Sequence, residues 1–161
     1  MNTATSNRGD QTRIALIEAA TAVFGKAGFD AASTRAIAQQ AGANQALINY
    51  HFGSKEGLYQ AVVETICGDM ERTLGPALEH LSLNMPTDHS TAITAIHELL
   101  SAMIEQFGRD ELQDWSRIIA REQQDPTPAF EAIYEGFMRR ILEALTLLVT
   151  VASAGEIQGE T

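Results

Sequence analysis

The chain has 161 residues, enough to bury a core as one domain or as two small units. A net charge of −10, from 11 basic and 21 acidic side chains, argues against a chain-wide polyanion-binding surface, and the single cysteine, Cys67, excludes an intrachain disulfide and a cysteine-based metal site. The opening MNTATSNRGDQ has no apolar stretch of the signal-peptide kind and no run nears the ~18 apolar residues of a membrane span, so a cytoplasmic protein is expected.

The charge is uneven. Residues 1–60 hold five basic side chains (Arg8, Arg13, Lys26, Arg35, Lys55) and four acidic ones, whereas residues 61–161 hold six basic and 17 acidic. With the acid segregated to the back, a nucleic-acid surface at the front stays open.

Apolar spacing is helical throughout, without convincing period-2 alternation. A first helix is expected over about Gln11–Lys26, capped by Asp10, with Ile14, Ile17, Ala20, Val23 and Phe24 inward and Gly28 ending it. Ser33 caps a short helix, Thr34–Ala41, which Gly42 breaks. Asn44 caps the next, Gln45 to about His51, with Leu47 and Ile48 inward. Ser54 caps a long helix from Lys55 to about Leu74, where Gly75-Pro76 should kink or interrupt it. In that helix Cys67 lies near Val63 and Met70, as a buried apolar filler would.

Three further helices follow. About Thr91–Phe107 should bury Ile93, Ile96, Leu100, Met103, Ile104 and Phe107; about Asp110–Gln123 carries Leu112, Trp115, Ile118 and Ile119; and about Pro128–Val151 repeats apolar residues at three- and four-residue steps from Phe130 to Leu148. The tail, 152–161, should fray.

Two short helices joined by a turn containing Gly form a helix-turn-helix pattern, which also occurs in hairpins that bind nothing. The outward face separates the two cases. With Leu47 and Ile48 inward, Gln45, Ala46, Asn49 and Tyr50 face solvent. Gln and Asn can pair bidentately with adenine in the major groove, and Ala can lie against a thymine methyl. Thr34 and Lys55 begin flanking helices, whose N-termini favour phosphate.

Residues 15–63, ALIEAATAVFGKAGFDAASTRAIAQQAGANQALINYHFGSKEGLYQAVV, resemble the N-terminal domain of the TetR family of bacterial transcriptional repressors. The resemblance rests on Gly28-Phe29, Thr34, Ile37-Ala38, Ala41-Gly42, Tyr50-His51-Phe52 and Ser54-Lys55-Glu56. It implies an all-α homodimer: a three-helix front domain, 1–54 and ordered from about residue 10, joined through the long helix to a helical ligand-binding and dimerisation domain, 55–161. It further implies a double-stranded operator as partner, a small-molecule effector that releases it, and neither cofactor nor catalysis. Carried onto this chain, Thr34 and Lys55 are phosphate-side positions, Arg35, Gln45, Ala46 and Asn49 base-side positions, and Tyr50 and His51 backbone contacts that also brace the helix; Ser33 and Asn44 complete the DNA-binding set. Many members have Tyr where this chain has Asn49, so no known operator carries over. NYHFGSKE and REQQDPTPAFEAIYEGFM are similar to a subgroup with its own C-terminal domain type.

Members usually place two more long helices after Pro128–Val151, which leaves that helix as the candidate interface here. A shortened module that modulates a full-length partner is the alternative.

Effector candidates are Met103, Phe107, Trp115, Phe130, Tyr134, Phe137 and Met138, each also ordinary core material. Arg121 and Glu122 are either a solvated pair at a helix end or polar anchors in a pocket. His80, His89 and His97 are too scattered for a metal site, and no nucleophile-base set or phosphate loop points to an enzyme.

Overall fold

The computed structural model describes residues 3–107 and 113–157, with side chains from 9 to 105 and from 113 to 154; Leu112 and the Phe107 side chain lie outside this description. Among the described residues every regular element is helical: α1 Thr3–Ala27, α2 Thr34–Gln40, α3 Ala46–Phe52, α4 Lys55–Leu83, α5 His89–Phe107, α6 Gln113–Gln124, α7 Ala129–Ile133, a π-helical turn Tyr134–Met138, and α8 Arg139–Ile157. None is long and apolar enough to cross a membrane. The chain divides into two compact units, Met1–Ile66 with Asp110–Phe130, and Cys67–Arg109 with Glu131–Thr161. This division falls within α4 rather than at 54/55, and it groups α6 with the front helices.

The first unit is built on α1, whose buried face is Leu16, Ile17, Ala20 and Phe24. Ile37 and Ala38 of α2, Ile48 of α3 and Leu58, Val62, Val63 and Ile66 of α4 are also buried. Helix α6 crosses α1 closely: a Cβ at Gly25 would stand 2.7–2.9 Å from Cα, Cβ and O of Asp114, so only glycine fits there. Two expectations for α1 fail. The helix begins at Thr3, which places Asp10 inside it rather than at its cap. Ile14 is 55% exposed, because it sits two residues, roughly 200° of helix, back from the buried Leu16.

In the second unit the buried apolar residues are Met70, Leu74 and Leu78 of α4, Ala92 and Leu99 of α5, Ile133 of α7, Phe137 of the π turn, and Ile141, Leu148 and Ala152 of α8. Helix α5 packs on α8, but not by the expected face. Ile93, Leu100 and Ile104 are exposed at 48%, 42% and 70%, while Ile96 and Met103 are half-buried. The reason lies at the start of the helix: Asp88 caps it through Thr91 N–H at 3.0 Å, and His89 Nδ1 donates to the Ala152 carbonyl of α8 at 2.7 Å. That bond anchors the first turn of α5 on α8, and with Ala92 and Leu99 buried the bulkier row, one residue out of phase, is left on the outside.

Three more boundaries differ. Helix α4 runs through Gly75-Pro76 without interruption to Leu83; the buried Leu74 and Leu78 on either side hold it. The single helix expected over Pro128–Val151 is split into α7 and α8 by the π turn, and α8 continues into the tail as far as Ile157. Cys67 is half-buried rather than buried, with Sγ donating to Ala132 O at 3.4 Å.

Pro76 is exposed within α4, so its ring contributes no packing, and it withholds the donor that the Arg72 carbonyl would otherwise receive. Pro76→Ala is therefore expected to raise stability by about 1–3 kcal/mol. A urea-unfolding midpoint that stays level or falls would show that α4 needs the proline.

Candidate nucleic-acid interface

Local chemistry fixes the front motif from end to end. Ser33, in extended conformation, caps α2 by accepting from Ala36 N–H at 3.1 Å. The helix closes with Gly42 at φ 63°, Ala43 N–H reaching back to Ala38 O at 2.9 Å and Gly42 N–H to Gln39 O at 3.2 Å, a Schellman closure. Asn44 Oδ1 then accepts from Ala46 N–H at 2.9 Å and starts α3, which ends at Gly53, φ 78°. Ser54 Oγ accepts from Gly57 N–H at 3.1 Å and starts α4. A side chain at Gly57 would collide with the Phe52 carbonyl, so the turn between α3 and α4 closes only over glycine.

With Ile48 fully buried and Leu47 half-buried, α3 presents Gln45, Ala46, Asn49 and Tyr50 to solvent. Tyr50 is 81% exposed and meets the half-buried His51 edge-to-face, ring centroids 5.0 Å apart. Gln45 Nε2 donates to Thr34 Oγ1 at 2.8 Å, tying α3 to the first residue of α2. Ser33, Arg35 and Asn44 are also exposed, so the ten sequence candidates lie on the two short helices and their flanks. Lys55 Nζ donates to Asp30 O at 3.2 Å and stands 4.6 Å from the Phe29 ring centroid, which leaves the ammonium further N–H donors.

Sequence reasoning missed Arg13. Its guanidinium lies 5.4 Å over the Phe52 ring at the end of α3, adding a cation beside the motif from a helix read as scaffold. Nothing in the spacing connects residues 13 and 52.

It also missed what Glu122 does. Glu122 is 2% exposed, so of the two readings the solvated one fails for it, and it stands at a cavity with both oxygens already hydrogen-bonded. Tyr59 O–H donates to its Oε1 at 2.6 Å, and Thr127 donates through its N–H at 2.9 Å and through its hydroxyl at 2.9 Å. These bonds meet the requirement that a buried carboxylate be hydrogen-bonded. Arg121, exposed, donates to Lys26 O at the end of α1 at 3.2 Å. Arg121 and Glu122 line a cavity of about 330 Å³ with Phe24, Gly28, Phe29 and Tyr59. Of the other effector candidates, Trp115 and Phe130 belong to this first unit, and Met103, Phe107, Tyr134, Phe137 and Met138 to the second. Apart from Phe137, those with described side chains are half-buried. A cavity of about 340 Å³ in the second unit is lined instead by Ala77, His80, Leu81, Thr91, Glu98 and Leu99, among others.

Comparison with known proteins bears on both units. The family model for bacterial regulatory proteins of the tetR family matches residues 16–62, and the model for the C-terminal domain of the HTH-type transcriptional dual regulator CecR matches residues 92–155. The chain is 36% identical over 151 residues to CecR of Shigella flexneri, covering 92% of this chain and 67% of that protein. It is 42% identical over 62 residues to the HTH-type transcriptional regulatory protein RaaS of Mycobacterium tuberculosis, covering 38% of this chain and 29% of that one. The structure of HlyIIR, a hemolysin II transcriptional regulator, superposes with a TM-score of 0.69 at 25% identity, over 94% of this chain and 76% of that one.

The Tyr59 phenol is pushed above its ordinary range, by burial first and then by the hydrogen bond to Glu122 and its charge, with Arg121 opposing. A raised folded-state value favours the neutral form, so its contribution is complete below the unfolded pKa of about 10 and is lost as pH rises toward the folded value. Stability relative to Tyr59→Phe should be level from neutral pH to about 9 and fall above about 10. Parallel alkaline unfolding curves for the two proteins would remove this account.

Proposed function

Since this chain belongs to the TetR family of DNA-binding transcriptional regulators, not enzymes, and carries a CecR-type C-terminal domain, we propose that it binds a roughly palindromic operator as a homodimer and is released by a small molecule. The observation that carries the DNA part is the exposed face of α3: a small residue and two amides, with Ile48 buried behind them. In this reading Gln45, Ala46, Asn49 and Arg35 read base edges in the major groove, while Ser33, Thr34, Asn44, Tyr50, His51 and Lys55 meet phosphates. The chain works in the cytoplasm, where its operator is. Repression is the default outcome, and since the name of the Shigella relative describes a dual regulator, activation at other promoters belongs to the same proposal.

The dimer is supported by apolar surface in the second unit. Ile93, Leu100 and Ile104 of α5 and Leu142 and Val149 of α8 are each 42–70% exposed, and bulky apolar side chains recurring along one helix face mark an interaction surface. Met103, Phe107, Tyr134, Phe137 and Met138 are the effector candidates in that unit.

Selection from a random duplex pool, combined with the mass in solution, tests this reading. A homodimer enriching a palindrome is expected; a monomer enriching nothing would overturn it. On the selected operator, Gln45→Ala and Asn49→Ala should each lose about 1–3 kcal/mol of discrimination against random duplex. Equal losses on both duplexes would contradict the base-reading assignment. Leu142→Glu combined with Val149→Glu should shift the mass toward the monomer and weaken operator binding; an unchanged dimer would move the interface elsewhere.

A further inference from the structure

Two consecutive residues at the end of α6, Arg121 and Glu122, hold the last turn of α1 and the second turn of α4, which adjoin the segment that seats Lys55. Arg121 holds the last turn of α1 at Lys26 O, and its Nη1 lies 2.9 Å from where a Cβ on Gly28 would stand. Glu122 holds the Tyr59 hydroxyl at 2.6 Å, and the Asp-Pro-Thr turn closes over the same carboxylate through Thr127.

Tyr59 in turn belongs to an aromatic trio. Its ring meets Phe24 edge-to-face at 4.9 Å and Phe29 at 5.0 Å, and Phe24 and Phe29 are 5.9 Å apart. Phe29 is the ring under the Lys55 ammonium, and Asp30, the next residue, supplies the carbonyl that Lys55 Nζ bonds. The hydrogen bond and the ring contact of the Lys55 ammonium therefore both run to the Phe29-Asp30 segment, and that segment stands against Tyr59.

We propose that Glu122 is a positioning residue for DNA binding: by fixing the Tyr59 hydroxyl it fixes Phe29 and Asp30, and through them it aims the Lys55 ammonium at a phosphate. The inference rests on the DNA-binding role of Lys55 stated above. Glu122 lies 67 positions along the chain from Lys55, and it touches no DNA itself. Without the carboxylate, Tyr59 and Phe29 are free to re-pack, the ammonium moves off the ring, and its phosphate contact is lost whatever the sequence of the duplex.

The test measures affinity for selected operator and for random duplex across a salt series, with unfolding curves confirming that each variant folds. Glu122→Ala should weaken both duplexes alike, by about five- to tenfold, and reduce the slope of log affinity against log salt by about 1.8, one phosphate contact from each protomer of the proposed dimer. Glu122→Gln keeps an acceptor for the Tyr59 hydroxyl and should retain most of both quantities. In a Lys55→Ala background, Glu122→Ala should cost nothing further. An unchanged slope, or losses that add in the double variant, would overturn the proposal. Should Glu122→Ala not fold, Tyr59→Phe, which removes one hydroxyl, is expected to lower the slope in the same way. A readout without DNA separates this inference from the reading it rests on. With lysines tagged by ¹³C-methylation, the Lys55 methyl protons should be shifted upfield by the Phe29 ring and move to the free-lysine position in Glu122→Ala. A wild type that binds no duplex would remove the DNA role, and a Lys55 signal indifferent to Glu122 would remove the positioning.

Discussion

A carboxylate 2% exposed to solvent has to find its hydrogen bonds inside the protein, and the first unit is arranged around the solution that Glu122 adopts. One oxygen takes the hydroxyl of Tyr59, from the second turn of α4; the other takes the backbone N–H of Thr127, after the Asp-Pro turn that ends α6. Removing either partner would leave a buried charge short of a donor, which costs more than the bond itself contributes. The pair therefore locks α6 to α4, while Gly25 lets the backbone of the same α6 lie directly on α1. Three helices distant in sequence are brought into register by one ionisable side chain and one missing Cβ.

On that frame the recognition elements are held by chemistry internal to them. Each of the two short helices has a polar starting residue and a positive-φ glycine at its end. Helices of seven residues would not persist alone in water; here Ile37, Ala38 and Ile48 fasten them to the core. The face left over is narrow, and its residues are ones that a core would reject and a solvated surface would seldom select.

What the sequence makes legible follows from how local the responsible chemistry is. Ser33, Gly42, Asn44, Gly53 and Ser54 act within a few residues, and the front motif was readable for that reason. The inward face of α5 was not. Two apolar rows run along it one residue apart, and the choice between them is made by His89 reaching the Ala152 carbonyl, 63 positions away. The partnership of Glu122 and Tyr59 spans the same separation, so a charged residue near a helix end looked equally suited to solvent or to a pocket. Arg13 lay hidden in the same way, as one of several polar residues on a scaffold helix. Pro76 misled in the other direction: its local preference is real, but Leu74 and Leu78 are buried on both sides and outweigh it.

The π turn at Tyr134–Met138 is equivalent to one residue inserted into an α-helix. Gly136 lies within it, with Cys67 Sγ 3.0 Å from where its Cβ would be, so the widened turn is seated directly on α4. Such an insertion advances every later residue by roughly 100° around the axis. The outer row of α8, Leu142 and Val149, thus owes its direction to a backbone feature upstream of it and not to its own spacing. Deleting a single codon within the turn would leave the composition of α8 untouched and yet turn its outer row by roughly 100° around the axis. The surface offered by the second unit is in this sense set by the reading of one residue count.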